Sequence, residues 1–78
     1  MNKREKWKSH VEKVLREIGI AEGHQVLDCC CGSGNYTAAA ATLVGKGGLV
    51  YAIDNDSNKL NDVKQKADLY GLKNIKVF

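Results

Sequence analysis

Apolar residues follow two alternating rhythms along the chain. Trp7, Val11, Val14, Leu15 and Ile18 recur at helical spacing with lysines, arginine and glutamates between them. This pattern predicts a leading amphipathic helix over residues 1–19, its apolar stripe facing a core and Gly19 as its stop. Ala21-Glu22-Gly23-His24 reads as a turn. Gln25 to Cys30 is apolar on successive rather than alternate positions, the mark of a strand buried on both faces. A second helix is predicted from Asn35 to Val44, with Tyr36, Ala39, Ala40, Leu43 and Val44 as its packing side and Gly45-Lys46-Gly47-Gly48 ending it. Leu49 to Asp54 reads as a second strand. Asp56 or Ser57 caps a third helix reaching Tyr70, with Leu60, Val63, Ala67 and Tyr70 on one face and Gly71 at its end. The third strand begins near Asn74 and reads I-K-V-F to Phe78.

Alternation of this kind specifies an α/β fold with parallel strands joined by right-handed crossovers. The expected architecture is a Rossmann-like three-layer parallel sheet, in its N-terminal half, with strand order 3-2-1 and a leading helix. That order leaves strand one with an unpaired edge, although its sequence is that of a central strand. The expectation is that downstream sequence, or a second copy in a homodimer, covers the edge.

Size and charge narrow the partners. The chain has 78 residues, one small domain over 1–78, and a chain this short buries only about 60% of the surface its unfolded form exposes. No stretch approaches the ~18 apolar residues that a membrane span requires, and no secretory signal is visible, so the default compartment is the cytoplasm. The formal charge of +3 comes from Lys3, Arg4, Lys6 and Lys8, which outnumber Glu5 at the front. So short a patch reads as a solvated helix start, and a nucleic-acid partner is not supported. The three cysteines are consecutive, Cys29, Cys30 and Cys31. Side chains leaving a strand in alternating directions do not converge on a zinc ion, so no metal site is expected. They read instead as small residues packed at a strand end in a reducing compartment.

The chemistry lies in V-L-D-C-C-C-G-S-G-N-Y-T, Val26 to Thr37. Gly32 and Gly34 allow a sharp turn and a close ligand approach. The first amides of the helix that follows are unsatisfied and attract an anionic group. Asp54, ending strand two, is placed to accept hydrogen bonds from both ribose hydroxyls of a nucleoside. The dinucleotide fingerprint requires a third glycine, and Thr37 occupies that place when counted from Gly32; counted from Cys30, the first glycine is missing. Asp28 beside the turn repels a pyrophosphate and suits an ammonium.

This stretch resembles the first motif of class I S-adenosylmethionine-dependent methyltransferases, V-L-D-x-G-x-G-x-G, and Val50 to Asp56 resembles their second. The lead-in G-I-A-E-G-H-Q-V-L-D and the segment A-D-L-Y-G-L-K-N-I-K-V-F are similar too, so only the first few basic residues lie outside the likeness. The resemblance implies S-adenosylmethionine as cofactor. Asp28 would hold the methionine end, and the backbone around Cys30, Gly32 and Gly34 would pass beside it. Asp54 would hold the ribose, with Asn55 and Asp56 bordering the adenine. Cys30 stands where the family has glycine, and a small residue serves there at negative φ. Asp28 has a plainer reading, as a cap for the second helix or the loop amides. The methyl acceptor and catalytic residues are unassigned, and no turnover is expected from the chain alone. Two other readings compete: an NAD-type dinucleotide-binding half of a dehydrogenase, and a non-enzymatic interaction module pairing through its open edge.

Overall fold

The structure is a computed structural model that describes residues 2–78; Met1, first in the expected leading helix, and the Arg4 side chain lie outside the description. Its elements run α1 (Lys3–Glu17), β1 (Gln25–Cys29), α2 (Asn35–Val44), β2 (Leu49–Ile53), α3 (Ser57–Tyr70) and β3 (Ile75–Val77). The strands form one sheet in the order β1-β2-β3, which is 3-2-1 read from the other edge. Both pairings are parallel, from Gln25 opposite Leu49 to Cys29 opposite Ile53, and from Val50 opposite Ile75 to Ala52 opposite Val77.

Both crossovers step in the same direction, so a single handedness stacks their helices on one face of the sheet. Two packed clusters follow. Val11 and Leu15 of α1 meet Ala39, Ala40, Ala41 and Val44 of α2 over Val50, with Val26 and Ile75 beside them. Cys31, Ala52 and Val63 form the second, bordered by Leu60, Ile75 and Val77. Every sheet residue in these clusters belongs to the same pleat parity. Among the described residues no helix covers the opposite face, which includes Leu27, Tyr51 and Ile53; Leu27 and Phe78 are each 61% exposed, and the Tyr51 and Phe78 rings lie 6.1 Å apart. The chain thus contains the sheet and one helical layer of the three-layer architecture.

This corrects the expectation of a strand one buried on both faces. β1 alternates between exposed and half-buried residues, because it is an edge strand with helices on one side only. It also ends at Cys29 rather than Cys30. The first helix is narrower in its buried stripe than the sequence suggests: Val11 and Leu15 are buried, whereas Trp7, Val14 and Ile18 are exposed. Tyr36, expected on the packing side of α2, is exposed and stands edge-on to Trp7 with ring centroids 5.6 Å apart. The alanines behave as expected, since Ala38 to Ala41 are all at most 3% exposed, which lets α2 lie close to the sheet between α1 and α3.

The ends of the helices are fixed by local chemistry. Asn2 caps α1 by accepting from the Glu5 amide, and Asp56 caps α3 by accepting from the Asn58 amide at 2.9 Å. Gly71 closes α3 in the left-handed conformation. The Asn74 side-chain amide donates to the carbonyls of Ala41 and Gly45 at the end of α2, at 2.9 and 2.8 Å, adding to the backbone bonds those carbonyls accept from Gly45 and Gly48. The N-terminus of α2 has Gly34 as its cap and no side-chain hydrogen bond there.

Candidate functional site

That uncapped helix start lies at the carboxyl ends of β1 and β2, where the glycine turn passes. After Cys29 the backbone turns sharply: Cys30 adopts φ +56° and is the only non-glycine residue with positive φ among the described residues. The expectation of negative φ at Cys30 is therefore wrong. The position demands the left-handed conformation that glycine adopts freely, and cysteine occupies it at a cost of roughly 1–2 kcal/mol. The Cys31 amide then donates to the Ile53 carbonyl at 3.0 Å, extending the pairing of β1 and β2 into the turn, and the Gly34 amide closes the turn on the Cys31 carbonyl at 3.1 Å.

Asp54 ties the second strand to this turn. Its Oδ2 accepts from the Gly32 amide at 3.1 Å and its Oδ1 from the Asp56 amide at 2.9 Å. A carboxylate offers about four lone-pair sites, so each oxygen keeps accepting capacity for a ligand while its orientation is fixed by the backbone. Asp28 is held from behind. The Thr37 hydroxyl, fully buried, donates to Asp28 Oδ2 at 2.5 Å. Asp28 is thus neither a helix cap nor an acceptor for the loop amides in this geometry. The residue that breaks the dinucleotide fingerprint is the one that orients this carboxylate.

The turn is also pinned by α3. Gly34 has φ +89°, and a Cβ there would lie 2.9 Å from Val63 Cγ2 and 3.2 Å from Val63 Cα. One helical turn further along, Lys66 Nζ donates to the Ser33 carbonyl at 2.9 Å. Gly32, by contrast, faces open space, with nothing within 4 Å of where a Cβ would be. A ligand has room at Gly32 and a rigid backing at Gly34.

The structure therefore gathers Asp28, Cys30, Gly32, Gly34, Asp54 and Asp56 at one end of the sheet, with Asn55 exposed beside Asp54. The shelf is open rather than enclosed. A cleft of about 240 Å³ is lined by Asp28 together with Val26, Leu27, Tyr36 and Ala40. A second, of about 330 Å³, contains Asn35 and Lys66. Of the cysteines only Cys31 is buried, while Cys29 and Cys30 are exposed; the expectation of three packed thiols holds for one. Burial, then the nearby charges of Asp28 and Asp54, push the Cys31 thiol above its ordinary value. Among the described residues no group of three His, Cys, Asp or Glu side chains is arranged to hold a metal.

Thr37, Val63 and Lys66 were missed from the sequence. The sequence marks Thr37 only as the occupant of the third glycine place and Val63 only as part of the packing face of α3; Lys66 carries no signal.

Known methyltransferases are similar to this chain in sequence and in fold. A demethylmenaquinone methyltransferase of Geobacillus stearothermophilus is 38% identical over 72 residues, covering 92% of this chain and 30% of that protein. A probable cobalt-precorrin-6B C(15)-methyltransferase of Saccharolobus solfataricus is 38% identical over 60 residues, 77% of this chain and 30% of that protein. Among solved structures, a SAM dependent methyltransferase from Aquifex aeolicus superposes over the whole chain with a TM-score of 0.80 at 35% identity, this chain covering 47% of it. The chain thus spans about a third to a half of the length of these relatives. A family model for the ubiE/COQ5 methyltransferase family matches residues 1–78, and the chain belongs to that family.

Proposed function

We propose that residues 1–78 form the S-adenosylmethionine-holding unit of a methyltransferase. The observation that carries this reading is the pair of immobilised carboxylates across one glycine turn, Asp28 on Thr37 and Asp54 on Gly32. Asp28, with Oδ2 engaged by Thr37, presents its other oxygen to the ammonium of the methionine moiety. The uncapped first turn of α2 offers amides and the positive end of its dipole to the carboxylate of the same moiety. The open space at Gly32 admits the cofactor chain. Asp54 accepts from the ribose hydroxyls, and Asn55 and Asp56 border the adenine. When bound, the cofactor supplies a sulfonium methyl group for an acceptor nucleophile.

An NAD-type reading is disfavoured by the same geometry. Thr37 fills the third glycine place and holds a carboxylate beside the turn, where a pyrophosphate would be repelled. The interaction-module reading draws on the bare β1 edge, but it leaves the two anchored carboxylates without a role.

The acceptor and the groups that orient it lie outside these six elements. We expect no turnover from the chain alone, and we propose that polypeptide of the kind its relatives carry, or a second copy, covers the β1 edge and the Leu27–Phe78 face. Among the described residues no helix is long and apolar enough to cross a membrane, and the free thiols fit the cytoplasm.

Thermal unfolding in the presence of S-adenosylhomocysteine and, separately, NADH tests the reading. A ligand at a hundred times its Kd stabilises by about 2.7 kcal/mol, a shift of many degrees in a chain this small. The expected result is a shift with S-adenosylhomocysteine and none with NADH. The reverse would overturn the proposal.

A further inference from the structure

Three side-chain hydrogen bonds set the shelf's geometry, and two of them involve carboxylates that belong to the resemblance. Asp54 fixes the Gly32 amide and Asp28 is set by Thr37. The third is Lys66 on α3, whose ammonium reaches 33 residues back along the chain to the Ser33 carbonyl at 2.9 Å. Lys66 is half-buried and lies one turn beyond Val63, the residue against which Gly34 is packed. The Ser33–Gly34 peptide is planar, so one hydrogen bond at its carbonyl fixes the whole unit. Its amide closes on Cys31 and its glycine caps α2. Holding that plane sets the direction of the first amides of α2. The ammonium also places a positive charge against the Ser33 carbonyl of the turn.

We propose that Lys66 is a positioning residue for the amino-acid end of the cofactor. It acts through the Ser33 carbonyl, holding the start of α2 in the orientation that receives the ligand's carboxylate. This assignment rests on the cofactor reading above. A bare structural strut would matter equally to any ligand of the shelf, whereas a device aimed at the amino-acid end matters only to ligands that have one.

The test is calorimetric titration of the 78-residue chain and two variants, Lys66→Met and Lys66→Arg. Two ligands are compared: S-adenosylhomocysteine, and 5′-methylthioadenosine, which keeps the nucleoside and lacks the amino-acid end. Methionine retains the apolar stem and removes the donor; arginine restores it. Lys66→Met is expected to weaken S-adenosylhomocysteine by about tenfold, the scale of one charge-assisted hydrogen bond, and to leave methylthioadenosine unchanged. Lys66→Arg is expected to recover most of the loss. Equal weakening of both ligands, an unchanged S-adenosylhomocysteine affinity in Lys66→Met, or an arginine variant no better than methionine would each overturn the assignment while leaving the cofactor reading intact. A wild-type chain that binds neither ligand would overturn the cofactor reading and, with it, the role of Lys66.

Discussion

Replacing Gly34 by alanine perturbs the site at the point where backbone conformation and packing coincide. Gly34 has φ +89°, and an added methyl would sit 2.9 Å from Val63 Cγ2 and 3.2 Å from its Cα. The left-handed conformation costs an alanine roughly 1–2 kcal/mol. The gain from a stiffer unfolded chain returns about 0.4–1 kcal/mol. Overpacking against a fully buried valine adds about 1–3 kcal/mol. The net loss is therefore about 1–4.5 kcal/mol, a large share of the roughly 4–12 kcal/mol expected for a chain of this length. Gly32→Ala is the matched control, because Gly32 also has positive φ but meets nothing within 4 Å; it should lose about 1 kcal/mol. Urea denaturation followed by circular dichroism measures both. Val63→Ala in the Gly34→Ala background should restore part of the loss, with a coupling of about 1 kcal/mol. Equal losses in Gly34→Ala and Gly32→Ala, with no coupling to Val63, would refute the claim that α3 backs the turn.

Three further outcomes are expected. Cys30→Gly relieves the left-handed cysteine and should raise stability by about 0.5–1 kcal/mol in the same urea assay; a loss would show that the thiol makes a compensating contact. Thr37→Val keeps the shape and removes the hydroxyl on Asp28, so it should cost about 1–3 kcal/mol and weaken S-adenosylhomocysteine, with Thr37→Ser retaining most of the affinity. Affinity unchanged in Thr37→Val would remove Thr37 from the site. The folded Cys31 thiol keeps its proton to higher pH than the unfolded one, whose ordinary value is 9.0. Its contribution to stability is thus full below pH 9.0 and declines as pH rises through the window up to the raised folded value. The free energy of unfolding measured across that range should fall less steeply in Cys31→Ala, and alkylation at neutral pH should label Cys29 and Cys30 ahead of buried Cys31.

The parts of the fold that were legible in the sequence are those written in local chemistry. The bounds of α2 and the Gly71 stop of α3 follow from short-range punctuation, and the structure places them at the expected residues, while of the two caps expected for α3 it selects Asp56 over Ser57. The two carboxylates and two glycines of the shelf are legible for the same reason, since each ends a strand or bends a turn. What escaped depends on partners distant in sequence. The successive apolar residues of β1 encode burial on two faces, which these six elements supply on one. The helical stripe through Val14 and Ile18 is a true periodicity, but the surface it meets extends only to Val11 and Leu15. The positive φ of Cys30 was hidden because cysteine does not announce it as glycine would. The hydrogen bonds from Thr37 to Asp28 and from Lys66 to Ser33 join helix to strand end and helix to turn, and no spacing rule connects those pairs.

Calorimetric titration of the chain with S-adenosylhomocysteine, with Asp54→Ala alongside, tests the central claim most directly. Saturable one-to-one binding by the wild-type chain is expected, and its loss in the variant, where the proposed ribose acceptor and the tie to Gly32 disappear together. No binding by a wild-type chain that circular dichroism shows to be folded, or undiminished binding by Asp54→Ala, would contradict it.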